Sequence, residues 1–381
     1  MTTHPVRPQP ATPIRSDTAD GVRGAAQLDL ELLERTARQV IGEMAYAYYA
    51  GAADQERQLA DNVAAWSRWQ LYPRVLVDVS GCSTATTILG QPVRSPVLVA
   101  PTAIQGLAHP DAEVGTALGA AATGTCLVLS SLATRRLEEI AEAAPDGLRW
   151  MQVYVLRDRG ATAEMVTRAA AAGYRALVLT VDAPVSGLRR RELREGVHLP
   201  DDLVLPNLAP SITERAREGG FMAIVGKEFD QTLDYEDISW LTTTSGLPVV
   251  VKGVLRADDA IRCLDAGAAA VIVSNHGARQ LDDGPATADV VAEVADAVGD
   301  RAEVYVDGGI RRPPDVLKAL ALGARAVLVG RPIIWSLATG GAEGVAATLD
   351  WFQQELLRTM ALCGTPTVAD VDRSLIRRPA P

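Results

Sequence analysis

A chain of 381 residues has room for one large domain or two ordinary ones, and its 48% hydrophobic content supports a substantial core and excludes a wholly disordered polymer. Its net charge of −10, with no aromatics clustered among Lys or Arg, argues against a nucleic-acid partner and leaves a small ligand as the expectation. The four cysteines, Cys82, Cys126, Cys263 and Cys363, lie far apart without a CxxC pair, so neither a disulfide framework nor a metal site is expected, and a reducing, cytoplasmic location is.

The N-terminal stretch is rich in Pro and Thr, so residues 1–26 read as a flexible tail and not as a signal peptide. No run approaches the ~20 apolar residues of a membrane helix. Residues 28–49 then carry Leu33, Ala37, Val40, Ile41 and Met44 at helical spacing, with Asp29 as a candidate cap. This helix ends in Tyr46, Tyr48 and Tyr49, a packing cluster whose phenols can also hydrogen-bond a carboxylate. A second helix is expected over residues 54–69, followed by irregular chain or short strands over 71–87.

From Pro96 the sequence becomes rhythmic. Apolar runs near residues 96, 125, 149, 176, 248, 270, 303 and 326 alternate with helical stretches, one of them near residues 112–122 and ending at Gly124. A small-residue phrase ending in glycine recurs before the runs, at Ala172-Gly173, Ala266-Gly267 and Leu322-Gly323, as suits a helix C-terminal cap. Continuous apolar runs suit strands covered on both faces. Eight such strands with helices between them predict a closed α/β barrel of the (β/α)8 type over residues 27–365, preceded by a helical extension. No GxGxxG follows the first strand, which weighs against a dinucleotide fold.

One connection is irregular: 65 residues separate Asp182 from Pro248, beginning with the charged run Arg189-Arg190-Arg191-Glu192-Leu193-Arg194-Glu195. A long loop after strand 4, with a lid over about 186–245, is the expectation. The last helix is placed from Glu343 to about Leu362, and residues 366–381 as a C-terminal tail.

In a barrel of this kind the site lies at the carboxyl ends of the strands. Those ends read Pro101-Thr102-Ala103, Ser130-Ser131, Gln152 with Tyr154, Thr180 with Asp182, Lys252, Ser274 with His276, Asp307-Gly308-Gly309 and Gly330-Arg331. A purely structural barrel has no need of polar groups at almost every tip. Three residues beyond His276 stands Arg279, so a base and a carboxylate fork can address one small ligand, although an isolated His and Arg pair is more often structural. Asp307-Gly308-Gly309-Ile310-Arg311 and Gly330-Arg331 put glycine amides and two arginines where barrels commonly hold a phosphate. Lys252 closes a run of Pro and Val, where a buried ammonium needs either an electron-rich ring such as a flavin or a structural ion pair.

Taken together, Ser274-Asn275-His276-Gly277-Ala278-Arg279-Gln280-Leu281-Asp282, Pro101-Thr102-Ala103, Thr180-Val181-Asp182, Val251-Lys252-Gly253, Asp307-Gly308-Gly309 and Gly330-Arg331-Pro332 resemble the FMN-dependent 2-hydroxy acid oxidases and dehydrogenases, the glycolate oxidase and lactate oxidase group. The likeness runs from about Leu28 to Leu362. It implies an FMN-bound barrel that oxidises a small L-2-hydroxy acid to the 2-oxo acid, with no membrane partner, as a homo-oligomer of four or eight copies. It also implies roles: His276 as base at the C2 carbinol, Asp182 orienting it, Arg279 and Tyr48 on the substrate carboxylate, Arg189 reaching in from the lid, and Tyr154 on the hydroxyl. Lys252 would lie near flavin N1. Pro101, Thr102, Ala103, Ser130, Gln152, Thr180, Ser274 and Asp307 would carry the flavin and ribityl groups, and Gly309, Arg311, Gly330 and Arg331 the phosphate.

The chain also departs from that pattern. Leu132 stands where several relatives carry a bulky aromatic, so glycolate is not assumed as substrate, and residues 48–54 are one residue shorter than in the glycolate oxidases. Three adjacent arginines, Arg189 to Arg191, compete for the lid role. Ala103 and Ala278 are similar to the small residues of oxidase members, pointing to O2 as acceptor with H2O2 as product; a quinone or carrier protein is the rival acceptor. A tailoring enzyme for a larger hydroxy acid, and a non-catalytic flavin-binding barrel, are the further alternatives.

Overall fold

The computed structural model describes residues 28–378; the expected tail at 1–26 lies outside them. Two helices precede the barrel. In α1 (Leu30–Ala50), Asp29 accepts hydrogen bonds from the amides of Glu31 and Leu32 at 2.9 and 3.0 Å, so the acid seen in the sequence does cap the helix. Helix α2 (Arg57–Ser67) is shorter at both ends than the pattern suggested.

Eight parallel strands close into a barrel: β1 (Val97–Val99), β2 (Leu127–Leu129), β3 (Arg149–Val153), β4 (Leu177–Thr180), β5 (Val249–Val254), β6 (Ala270–Val273), β7 (Glu303–Val306) and β8 (Ala326–Val329). Closure is made by β8 pairing with β1, Leu328 opposite Leu98. Every expected run supplies one strand, and the reason is visible in the packing. Leu98, Val128, Trp150, Val178, Val250, Ile272, Tyr305 and Leu328 fill the interior, while their neighbours, such as Val97, Leu127, Met151 and Leu177, pack against the outer helices. Both faces are buried, so both must be apolar.

After each strand comes a barrel helix: α3 (Ala112–Ala122), α4 (Leu137–Ala143) and α5 (Arg159–Ala171) follow β1 to β3. The connection after β4 holds three helices, α6 (Arg190–Arg194), α7 (Pro210–Glu228) and α8 (Glu236–Ser245). Only the first two belong to the insertion. Helix α8 packs on α5 and β5 and takes the ordinary barrel position, so the lid expected over 186–245 ends before residue 236. The remaining helices are α9 (Ala257–Asp265), α10 (Thr287–Val298), α11 (Pro313–Ala321) and α12 (Arg331–Leu362).

Two further expectations differ from the structure. Helix α12 begins at Arg331, twelve residues before Glu343, and contains a kink at Gly341, which adopts φ 55°. The segment after 365 is anchored, because Ile376–Arg377 pairs antiparallel with Gln70–Leu71 and Thr367 bridges to Ser83. Neither contact has a signal in local sequence, since each joins segments about 300 residues apart.

Candidate active site

Strand order brings the eight polar tips to one mouth, and there they line a cleft of about 1240 Å³, counting its open entrance. Tyr48, Pro101, Thr102, Ala103, Ser130, Leu132, Gln152, Tyr154, Thr180, Arg189, Lys252, His276, Arg279, Asp307, Gly309, Arg311, Gly330 and Arg331 all border it. Two expected residues do not. Asp182 and Ser274 sit behind the lining, where they hold its members.

His276 is placed by an unusual backbone. It leaves β6 with φ 57°, and Gly277 and Ala278 follow at 62° and 66°, three left-handed residues in a row. Such a run costs energy for the two non-glycines and persists only where the surroundings enforce it. Here Asn275 enforces it: its carbonyl and its Oδ1 both accept from the Ala278 amide, at 2.9 and 3.2 Å. The imidazole Nδ1 lies 2.7 Å from Asp182 Oδ1, and Nε2 lies 3.3 Å from the Tyr154 hydroxyl. A carboxylate on Nδ1 favours the proton there, leaving Nε2 facing the cleft as the acceptor. Burial lowers the imidazole pKa despite the Asp182 charge, so the ring is neutral at physiological pH. Burial works to raise Asp182, but the His276 ring and Lys252 outweigh it and hold the acid below its usual range.

Asp182 can stand this close to β5 because of a glycine. At Gly253 (φ 111°) the strand pairing slips between Lys252 and Val254, and a Cβ there would lie 2.7 Å from the Asp182 Cβ. Lys252 turns inward to donate to Ser274 Oγ at 2.9 Å and to meet Asp307 Oδ2 at 3.2 Å. The ion pair considered from sequence is therefore present, and the residue still borders the cleft. Burial opposes its charge, yet Asp307 and Asp182 together raise its pKa. Gln152 ties strand tips together, donating to Thr180 Oγ1 at 3.1 Å and accepting from the Ser131 amide at 3.1 Å.

Cations crowd one wall. Arg279 donates to the Tyr48 and Gly51 carbonyls at 2.7 and 2.9 Å and to Glu192 Oε1 at 2.8 Å, with its guanidinium 5.1 Å from the centre of the Tyr48 ring. Of the three lid arginines, Arg189 is the buried one and turns into the cleft, whereas Arg190 and Arg191 pair outward with Asp54 and Glu56. Arg331 donates to the Tyr49, Gly277 and Gly51 carbonyls at 2.9 to 3.1 Å. Among the described residues neither Arg331 nor Arg311 has an ion-pair partner. Burial, with Arg279 and Arg311 nearby, pushes Arg331 down to about 9, and burial also lowers Arg311. Two half-buried guanidiniums without ion-pair partners among the described residues form a site for an anion of double charge. Asp307 Oδ1, on the cleft, is a buried acceptor without a partner among the described residues. Unpaired guanidiniums, a free carboxylate oxygen and a base beside a carboxylate fork, all in one cleft, fit a phosphorylated cofactor and a small acid.

Sequence reasoning missed the residues that the insertion supplies. Val225 and Phe229 of the α7 end border the cleft, Phe229 stacking on Tyr154 at 4.3 Å, and Glu192 of α6 engages Arg279 and Arg189. A position in an insertion with no repeat partner carries no pattern that marks it as part of a site.

Comparison with known proteins agrees with this geometry. Residues 37–378 match the family described as FMN-dependent dehydrogenase. The chain is 45% identical over 359 residues to the L-lactate oxidase of Nostoc sp., covering 92% of this chain and 98% of that one. It is 44% identical to human 2-hydroxyacid oxidase 1, over 91% of this chain and 95% of the relative. Among solved structures, mandelate oxidase with (S)-4-hydroxymandelic acid superposes with a TM-score of 0.87 at 38% identity over 91% of this chain and 98% of that one. A lactate oxidase of Pediococcus acidilactici gives 0.86 at 36% identity, over 93% and 95%.

Proposed function

Since the chain belongs to the FMN-dependent dehydrogenase family, we propose that it oxidises an L-2-hydroxy acid to the 2-oxo acid with O2 as acceptor, releasing H2O2. The observation that carries this is His276, neutral and oriented by Asp182, in the same cleft as the Arg279 and Arg189 cations. FMN, when bound, accepts the two electrons. Arg311, Arg331 and the Gly309 and Gly330 backbone hold its phosphate, with Pro101, Thr102, Ala103, Ser130, Gln152, Thr180, Ser274 and Asp307 about the ring and chain.

The protein's part is to bind, orient and move one proton. Arg279, Arg189 and Tyr48 take the substrate carboxylate, and Tyr154 shares the hydroxyl with His276. His276 Nε2 accepts the proton and Asp182 stabilises the resulting imidazolium. Lys252 supplies positive charge where negative charge accumulates. Leu132, Val225 and Phe229 add apolar lining to the cleft, which suits an uncharged side chain on the substrate.

The test is anaerobic bleaching of the visible flavin band by glycolate, lactate, mandelate and longer acids, followed by peroxide measurement in air. His276→Ala should stay yellow and lose reduction by roughly a thousandfold or more. Undiminished bleaching in that variant removes the histidine from the chemistry; dye reduction without peroxide moves the acceptor to a quinone or carrier protein.

Cytoplasmic residence is proposed on the four free, buried cysteines. No described helix is long and apolar enough to cross a membrane. A homo-oligomer, a tetramer or an octamer, is proposed, and the exposed Tyr72, Val75 and Leu76 are an apolar surface that a second copy could cover. Light scattering on the purified protein reads the mass, and a monomer would remove the oligomer.

A further inference from the structure

We propose that Glu192 sets the charge of the acid-binding end of the cleft and thereby selects 2-hydroxy monocarboxylates over dicarboxylates. The inference rests on the oxidation reading above and specifies its substrate class. Among the described residues, Asp182, Asp307 and Glu192 are the carboxylates that engage His276, Lys252, Arg279 and Arg189. Asp182 is engaged by His276 at 2.7 Å and Asp307 by Lys252 at 3.2 Å. Glu192 alone addresses the arginines assigned to the substrate, with Oε1 2.8 Å from Arg279 Nη2 and 3.4 Å from Arg189 Nη1.

Its placement is built, not incidental. Glu192 is buried on α6, a five-residue helix, and the residues before it fasten that helix from outside through the Arg190–Asp54 and Arg191–Glu56 pairs. These pairs hold the helix, and with it the Glu192 backbone, against the segment between α1 and α2. Arg189 is further fixed by the Arg279 carbonyl and Gln280 Oε1, both at 3.4 Å.

The electrostatic consequence follows from charge count. Two guanidiniums and one carboxylate present a single net positive charge to the incoming acid. One substrate carboxylate neutralises it. A second carboxylate meets the repulsion of Glu192 in a setting where water screens poorly, and finds no spare cation on the wall of Leu132, Val225 and Phe229. Arg331 shares the Gly51 carbonyl with Arg279, but its charge, with that of Arg311, belongs to the phosphate.

The probes are propionate and succinate, which lack the 2-hydroxyl and cannot reduce the flavin, titrated into FMN-loaded enzyme and followed by perturbation of the visible band. Wild type should bind propionate about tenfold or more tightly than succinate; Glu192→Gln should shrink that ratio by roughly tenfold, and Glu192→Asp should keep it. An unchanged ratio in Glu192→Gln overturns the proposal. So does a wild-type protein indifferent to the second carboxylate, a check that does not depend on any variant folding. Anion binding without bleaching by any L-2-hydroxy acid sinks the oxidation reading while the charge selection stands; bleaching with an unchanged ratio sinks the charge selection alone.

Discussion

Inside the cleft the His276 imidazole has two opposed influences on its proton: burial removes the water that stabilises the cation, and Asp182 at 2.7 Å restores part of that stabilisation. Burial prevails, so the ring titrates below the ordinary imidazole value of about 6.5. A base must be unprotonated to act, so kcat/KM should be flat at neutral pH and fall on the acid side with a midpoint below that value. In Asp182→Asn the counter-charge is gone, the midpoint should move lower still, and the rate should drop at every pH. A pH-rate profile measures both, and an acid limb that rises above about 6.5 would contradict the burial argument. His276, Asp182, Arg279 and Lys252 could be read from sequence because each lies in or shortly after an unmistakable buried strand. Glu192 could not: it lies in a run of arginines and glutamates whose ordinary meaning is a solvated face, and only the chain's return against Gly51 and Arg279 turns it inward.

Helix α2 shows the same limit for whole elements. Its helical pattern is legible, but its purpose is not, because its partners lie more than two hundred residues away. Asn62 and Asn275 exchange amide hydrogen bonds at 2.9 and 2.7 Å, and Trp66 Nε1 donates to the Gly308 carbonyl at 2.9 Å. Helix and loop approach so closely that a Cβ on Gly309 would fall 1.9 Å from the Asn62 carbonyl oxygen, at a φ of 77° that disfavours any side chain. Gly309→Ala should therefore cost about 3 kcal/mol or more and push α2 from the β7 loop. A melting temperature lowered by several degrees, together with weaker FMN retention, is the expected result; wild-type stability would mean that the approach is looser than described. The barrel strands, by contrast, were legible one by one, because burial on both faces writes itself into every residue of the run.

At the scale of the whole molecule, the cleft gathers Arg311 and Arg331, neither with an ion-pair partner among the described residues, beside Arg279, and burial with these neighbours depresses Arg331 to about 9. Such a concentration of like charge strains the folded state until an anion enters, so cofactor binding and folding stability must be linked. A ligand that binds only the native chain stabilises it by about 2.7 kcal/mol at a hundredfold excess over its Kd. Protein stripped of FMN should accordingly melt several degrees lower than protein reloaded with it, and inorganic phosphate should recover part of the difference. Arg331→Met removes one of the two unpaired cations: it should weaken FMN by roughly ten- to a hundredfold, as expected for a lost charge-assisted contact, and reduce the stabilisation that phosphate confers. It should not itself raise the stability of the stripped protein by much, because Arg331 also donates to the Tyr49 and Gly277 carbonyls and those acceptors then lose its hydrogen bonds. Differential scanning calorimetry on stripped and reloaded forms of both proteins separates the two effects. Equal phosphate stabilisation in wild type and variant would place the anion elsewhere than at this arginine.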